Sequence, residues 1–311
     1  MKNLEASIRQ RLLNLAKKEG VDFDYILRQF AIQRLLYRLS ISDHSDRFYL
    51  KGALMFWVWD RSFHRPTKDI DLLGLGSNDV QELQTLFMEV VSIPCDDGLI
   101  FHAETIKAAT IKEDEAYEGV RVTGVSTLDR ASIPFQVDIG FGDVITPKAK
   151  IQRIPTYLDL PFAELKAYPV ETIIAEKFQA MVYLDIANSR MKDFFDLWFI
   201  ANSMRLVERD VSAAIKATFA NRRTPIVDHD LDVFSSVFLE DTNKSVQWRA
   251  FKNKNRLDLS LSFSETQELI KRFLEPLYVS IAKGQEQNRV WDSKMWQWRQ
   301  SESEEKATRT S

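Results

Sequence analysis

A chain of 311 residues, 45% hydrophobic and 28% charged, has the composition of an ordinary globular protein with length enough for a sizeable core. Its net charge of −3 excludes a generally basic nucleic-acid coat, so any polyanion must be met by local patches. The single cysteine, Cys95, allows no internal disulfide and no cysteine-based metal site. The start, Met1-Lys2-Asn3-Leu4-Glu5, has no apolar signal core, and no run is long enough to span a bilayer, so the expected setting is the cytoplasm, with no membrane partner.

In chain order, Leu4, Ile8, Leu12 and Leu15 recur at helical spacing, and Gly20 follows as a C-cap. A second amphipathic helix is expected over about 24–39. Phe48-Tyr49-Leu50 reads as a strand end, Lys51-Gly52-Ala53 as a glycine turn, and 54–59 as a short apolar helix. A basic loop with Arg65, Thr67 and Lys68 leads to a strand expected to end in the acids Asp69 and Asp71. Ser77 is the expected N-cap of a helix through Leu83, Leu86, Phe87 and Val90, and 94–98 is a turn. Alternation then predicts strands over 101–111, 117–126 and 132–140.

The proline-bearing stretch 154–168 reads as a crossing segment, followed by a helix over about 170–187 and another starting near Arg190. Beyond Met204 the pattern is mostly helical. The basic clusters at 222–223, 249–256 and 271–272 are either contacts for RNA phosphates or, as is commoner for clusters of this size, solvated faces, and His229 reads as part of a polar loop. Trp291, Trp296 and Trp298 are expected to pack a last helix, and 301–311 to form a charged, disordered tail.

The chemistry centres on 51–71. Successive strand residues alternate between faces, so Asp69 and Asp71 project to one side while Ile70 and Leu72 point into a core. Two close carboxylates repel unless a cation sits between them, which suits Mg²⁺ bound to a substrate phosphate. Gly52 is expected to let the backbone come close to a phosphate, with no Cβ in the way. In Phe135-Gln136-Val137-Asp138-Ile139 the acid alternates with core residues. It is either an outward solvated acid or, if the strands are neighbours, a third member of the group. Lys177, at the margin of an apolar stripe, either snorkels to solvent or reaches a triphosphate. Asp193 and Asp196 share a helix face; the helix dipole accounts for the first better than the second.

Leu50-Lys51-Gly52-Ala53, Arg65-x-Thr67-x-Asp69-Ile70-Asp71, Val137-Asp138-Ile139, Ala175-Glu176-Lys177 and Lys192-Asp193-x-x-Asp196-Leu197 occur in one order with sensible gaps. Over about residues 45–200 this set resembles the AbiEii family of nucleotidyltransferase-like proteins, the toxin half of abortive-infection toxin–antitoxin systems of phage defence. Gly52-Ala53 stands where that family usually has Gly-Gly or Gly-Ser, and Thr67 where it usually has serine.

The resemblance implies an α+β fold: a polymerase-β-like nucleotidyltransferase core with a mixed sheet flanked by helices, then a mainly helical C-terminal portion. The expected division is 1–160, 161–300 and the tail. Also implied are Mg²⁺ held by Asp69, Asp71 and Asp138, and NTP contacts from Lys51, Gly52, Ala53, Arg65, Thr67 and Lys177. Asp193 and Asp196 correspond to later motifs in which an acid orients the acceptor or serves as its base. A tRNA 3′ end is an expected acceptor and a cognate antitoxin an expected partner. The rival expectations are a transferase of the same fold acting on a small molecule or a protein hydroxyl, and a non-catalytic NTP-binding module.

Overall fold

Alternation of apolar and polar residues along adjoining strands builds the sheet that carries the acids. In the computed structural model, which describes residues 4–60, 67–114, 117–257 and 259–300, the chain divides into two compact units. The first takes the residues up to Asp143 together with Ala149–Tyr168; the second takes Val144–Lys148 and the residues from Pro169 onward. Arg65 and the expected tail lie outside the described residues.

The first unit opens with helices α1 (Leu4–Glu19) and α2 (Phe23–Ser40); Gly20, at φ +65°, ends the first, and the Asp22 carboxylate caps the second. Then come β1 (Phe48–Lys51), α3 (Leu54–Trp59), β2 (Asp69–Gly74) and α4 (Val80–Val91). The acids therefore begin β2 rather than end it. Asp79, not Ser77, caps α4, because its carboxylate is the group placed to accept from the Glu82 N–H.

Strands β3 (Leu99–Phe101), β4 (Lys107–Asp114), β5 (Tyr117–Leu128) and β6 (Ala131–Phe141) follow. The strand expected over 101–111 is interrupted by a 3₁₀ turn at Ala103–Thr105, after which the chain rejoins the ladder of β5. The stretch read as a crossing segment is sheet as well: β7 (Lys150–Ile154) and β8 (Ala163–Ala167) pair as an antiparallel hairpin. Its prolines, Pro155 and Pro161, sit in the connection between the strands, where a missing N–H costs no ladder bond.

The sheet order is β3-β5-β6-β2-β1-β8-β7, with β4 also on β5. It is mixed: β2–β6 and β1–β8 are parallel, and the other pairs antiparallel. Ile70, Leu72, Val122, Val137 and Ile139 fill the face packed on α2 and α4. Asp97 pins the turn before β3 to α2, accepting from Arg34 Nε at 2.8 Å and Arg38 Nη1 at 2.6 Å, with all three side chains buried.

The second unit holds α5 (Val170–Leu184), α6 (Met191–Ser203), α7 (Glu208–Asn221), α8 (Ser236–Leu239), α9 (Thr242–Asn255) and α10 (Phe263–Ala282). Phe178 of α5 packs against Phe219, Phe234 and Tyr278. A reciprocal Ser262–Glu265 capping box starts α10. The tryptophans expected on a last helix instead belong to a hairpin, β9 (Arg289–Asp292) with β10 (Gln297–Gln300). Alternation puts Trp291 and Trp298, opposite each other in register, against Phe273 of α10, with centroids 4.9 and 5.7 Å away.

Among the described residues no helix is long and apolar enough to cross a membrane.

Candidate active site

Register brings the acids together. Asp71 stands opposite Asp138 across the parallel β2–β6 pair, and opposite Lys51 across the antiparallel β1–β2 pair. Asp138 stands opposite Arg121 across β5–β6. One row of the sheet therefore reads Lys51, Asp71, Asp138, Arg121, two neighbouring acids flanked by a cation on either side, at a spacing of about 4.8 Å per strand. The next row on the same face is Asp69, Gln136, Thr123, Lys107.

The alternation that points these groups to one face buries Ile70, Leu72, Val137 and Ile139 on the other, each at most 1% exposed. The same packing thus fixes the heights of Asp69, Asp71 and Asp138.

Asp138 is not an outward solvated acid. It is 8% exposed, and its two oxygens accept from Arg121 Nε at 2.8 Å and Nη2 at 2.9 Å, a bidentate clamp. The Gln136 amide donates to both oxygens at 3.1 Å. Lys51, 8% exposed, donates to Asp143 at 3.2 Å. Arg121 and Asp143 gave no local signal in the sequence; only strand pairing brings them here.

Gly52 adopts φ +74°, and a Cβ built there would lie 1.9 Å from Asp71 Oδ2 and 2.6 Å from Asp71 Cβ. The close approach this glycine permits is that of Asp71 itself. Gly52→Ala is accordingly expected to displace the Asp71 carboxylate and to destabilise the fold by about 1–3 kcal/mol, the cost of a strained backbone site. Urea unfolding of the variant checks this, and an unchanged midpoint refutes it. Ala53 is buried at the start of α3. The Thr67 hydroxyl donates to the Asp69 carbonyl at 3.2 Å, and its own carbonyl accepts from Gln29 of α2 at 2.7 Å, fixing the entry to β2.

In the second unit, Lys177 of α5 donates to Asp193 Oδ1 at 2.7 Å and pairs with Asp196 Oδ2 at 2.8 Å, both on α6. Arg190 Nε reaches Asp193 Oδ2 at 2.6 Å. Both acids are 0% exposed. Burial opposes the charged form of Asp193, but Lys177, Arg190 and Lys192 outweigh it and hold the carboxyl well below the usual range. Lys177 is thus neither a snorkelling surface lysine nor a loose one; its ammonium is bound between two carboxylates.

The oxygen-only donors of Asp69 and Asp71, on one face beside a glycine cradle, suit a hard cation such as Mg²⁺. Asp138, the third acid, has both oxygens engaged by Arg121 and Gln136. Among the described residues no group of three or more His, Cys, Asp or Glu side chains converges as a metal site, and His229 caps only its own loop.

The family model described as nucleotidyl transferase AbiEii toxin, Type IV TA system, matches residues 34–272. The chain belongs to this family of nucleotidyltransferase toxins. A crystal structure of a candidate nucleotidyltransferase from H. pylori is similar at 14% identity and TM-score 0.45, covering 85% of this chain and 97% of that one. JHP933 from Helicobacter pylori is similar at 13% and 0.39, over 81% and 94%. Comparison with curated proteins finds no match.

Proposed function

We propose that this chain transfers a nucleotide from an NTP to the hydroxyl at a tRNA 3′ end, arresting growth until a cognate antitoxin encoded nearby relieves it. The observation that carries the reading is the register of Asp71 against Asp138 with Asp69 on the same face, beside the Gly52 turn. A pure binding module has no need for three acids on one face of adjoining strands.

Asp69 and Asp71 would hold Mg²⁺, with Asp138 completing the set when it turns from Arg121. Bound there, the ion would neutralise phosphate charge and lower the pKa of a coordinated hydroxyl. The protein's own part is positional: Gly52 gives Asp71 its place, Gln136 and Arg121 orient Asp138, and Lys51 with the Gly52-Ala53 backbone presents donors to phosphate. For the second-unit cluster we propose that Lys177 steadies phosphate as a point charge, while Asp193 and Asp196 hold that ammonium in place.

The test is incubation of the purified chain with each labelled NTP and Mg²⁺, with total tRNA and separately with total protein. Label on tRNA, removed by trimming of the 3′ end, supports the proposal. Label on protein alone, or on neither, overturns it.

A further inference from the structure

Beside Asp69, in the first unit, lies a cleft of about 670 Å³. We infer that it binds the acceptor strand of a single-stranded RNA through its phosphodiester groups; this extends the proposed activity by giving the acceptor a place.

The cleft is floored by the Asp69, Gln136, Thr123 row and rimmed by Arg28, Lys68 and Lys107. No acid among the described residues pairs with any of these three cations. The three cations outnumber the two carboxylates of the lining, Asp69 and Glu104, so the cleft keeps a net positive charge that favours a polyanion. Their placement follows from the fold. Lys107 stands opposite Thr123 in the β4–β5 ladder, and the 3₁₀ turn that interrupts the β3–β4 edge brings Thr105 and Glu104 to the rim. The hydrogen bond from Gln29 to Thr67 ties α2, which bears Arg28, to the segment bearing Lys68.

The spread of charge separates a strand from a triphosphate. Lys107 on β4 and Lys68 beside β2 are three strand spacings apart, roughly 14 Å. A triphosphate concentrates its charge, whereas a chain of phosphodiesters distributes it over such a span. Asp71, Lys51 and Gly52 do not line this cleft, so it adjoins the Gly52 turn without including it. The Thr123 hydroxyl and the Gln136 carbonyl oxygen are groups suited to sugar and base edges.

The test uses Arg28→Ala, Lys107→Ala and the double variant; Lys68 is left intact because it adjoins Asp69. Fluorescence anisotropy with a short labelled single-stranded RNA is read in EDTA, without NTP, over a series of salt concentrations. Binding of each NTP with Mg²⁺ is measured separately, and circular dichroism checks the fold. Each single change should weaken RNA binding about fivefold at low salt and reduce the log–log salt slope by roughly 0.7 per cation removed. NTP affinity should stay within about twofold. No RNA binding by the wild type, or an unchanged slope in the double variant, overturns the inference. Loss of NTP affinity with RNA binding intact also overturns it and assigns the cleft to the triphosphate. Because RNA binding is read without NTP or metal, failure of nucleotidyl transfer would sink the proposed activity and leave this result standing.

Discussion

Asp69→Ala and Asp71→Ala are each expected to lower nucleotidyl transfer a thousandfold or more, on the order of 4 kcal/mol of transition-state stabilisation. Neither should unfold the chain. Both side chains are half-buried, and the apolar residues that hold β2 in the sheet, Ile70 and Leu72, point the other way. The stability change should stay within about 1 kcal/mol, the range for partly exposed charged groups. Initial rates with labelled NTP, taken beside urea unfolding curves, separate the two quantities. Normal transfer by a folded variant would remove Asp69 and Asp71 from the chemistry. On the proposed function, arrest of growth on expression should disappear in parallel.

Local signals in the sequence carried much of this arrangement. The run of six apolar residues after Ala53 is helix α3, over the bounds its composition suggests. The alternation in 135–139 places Val137 and Ile139 in the core, so Asp138 had to face the other way. What a single chain does not encode locally is which strand lies beside which. Asp71 and Asp138 meet only because β2 pairs β6 in parallel, and Arg121 reaches Asp138 only because β5 flanks β6. Both contacts are set by sheet order, so Arg121 looked like any surface arginine of a strand.

Two elements were hidden for other reasons. The β7–β8 hairpin has five-residue strands around a connection holding Pro155 and Pro161, and prolines read as a break whether they sit in a loop or in a turn between paired strands. The spacing of Trp291, Trp296 and Trp298 is compatible with one helix face or with a hairpin. The hairpin forms because Trp291 and Trp298 then pair across strands and stack on Phe273. Asp97, in what reads as a plain turn, is fully buried between Arg34 and Arg38, charges that α2 turns inward. A turn acid gives no sign of two guanidinium groups that arrive from residues some sixty positions earlier.

Lys177→Met should cost about 3–5 kcal/mol of stability, the range for breaking a buried ion pair by removing one partner. Asp193 and Asp196 are both fully buried, and Lys177 bridges them at 2.7 and 2.8 Å. Without it, two carboxylates are left out of water, and the Arg190 guanidinium, 2.6 Å from Asp193, compensates that acid in part. Pairing Lys177→Met with Asp196→Asn should cost less than the two changes summed, because the second removes the charge that the first strands. The dependence on pH supplies an independent check. The folded-state carboxyl of Asp193 lies well below its unfolded value of about 3.9, so its contribution is fully present above about pH 4. That contribution is lost as pH falls through the acid range toward the folded value. In Lys177→Met the main attraction holding the carboxyl down is gone, so its folded value rises and protonation relieves the strain. The wild type should therefore lose stability faster than the variant as pH drops below 4, and their urea midpoints should converge. A gap between them that stays constant from neutral pH to pH 3 would show that the cluster is held by packing rather than by charge.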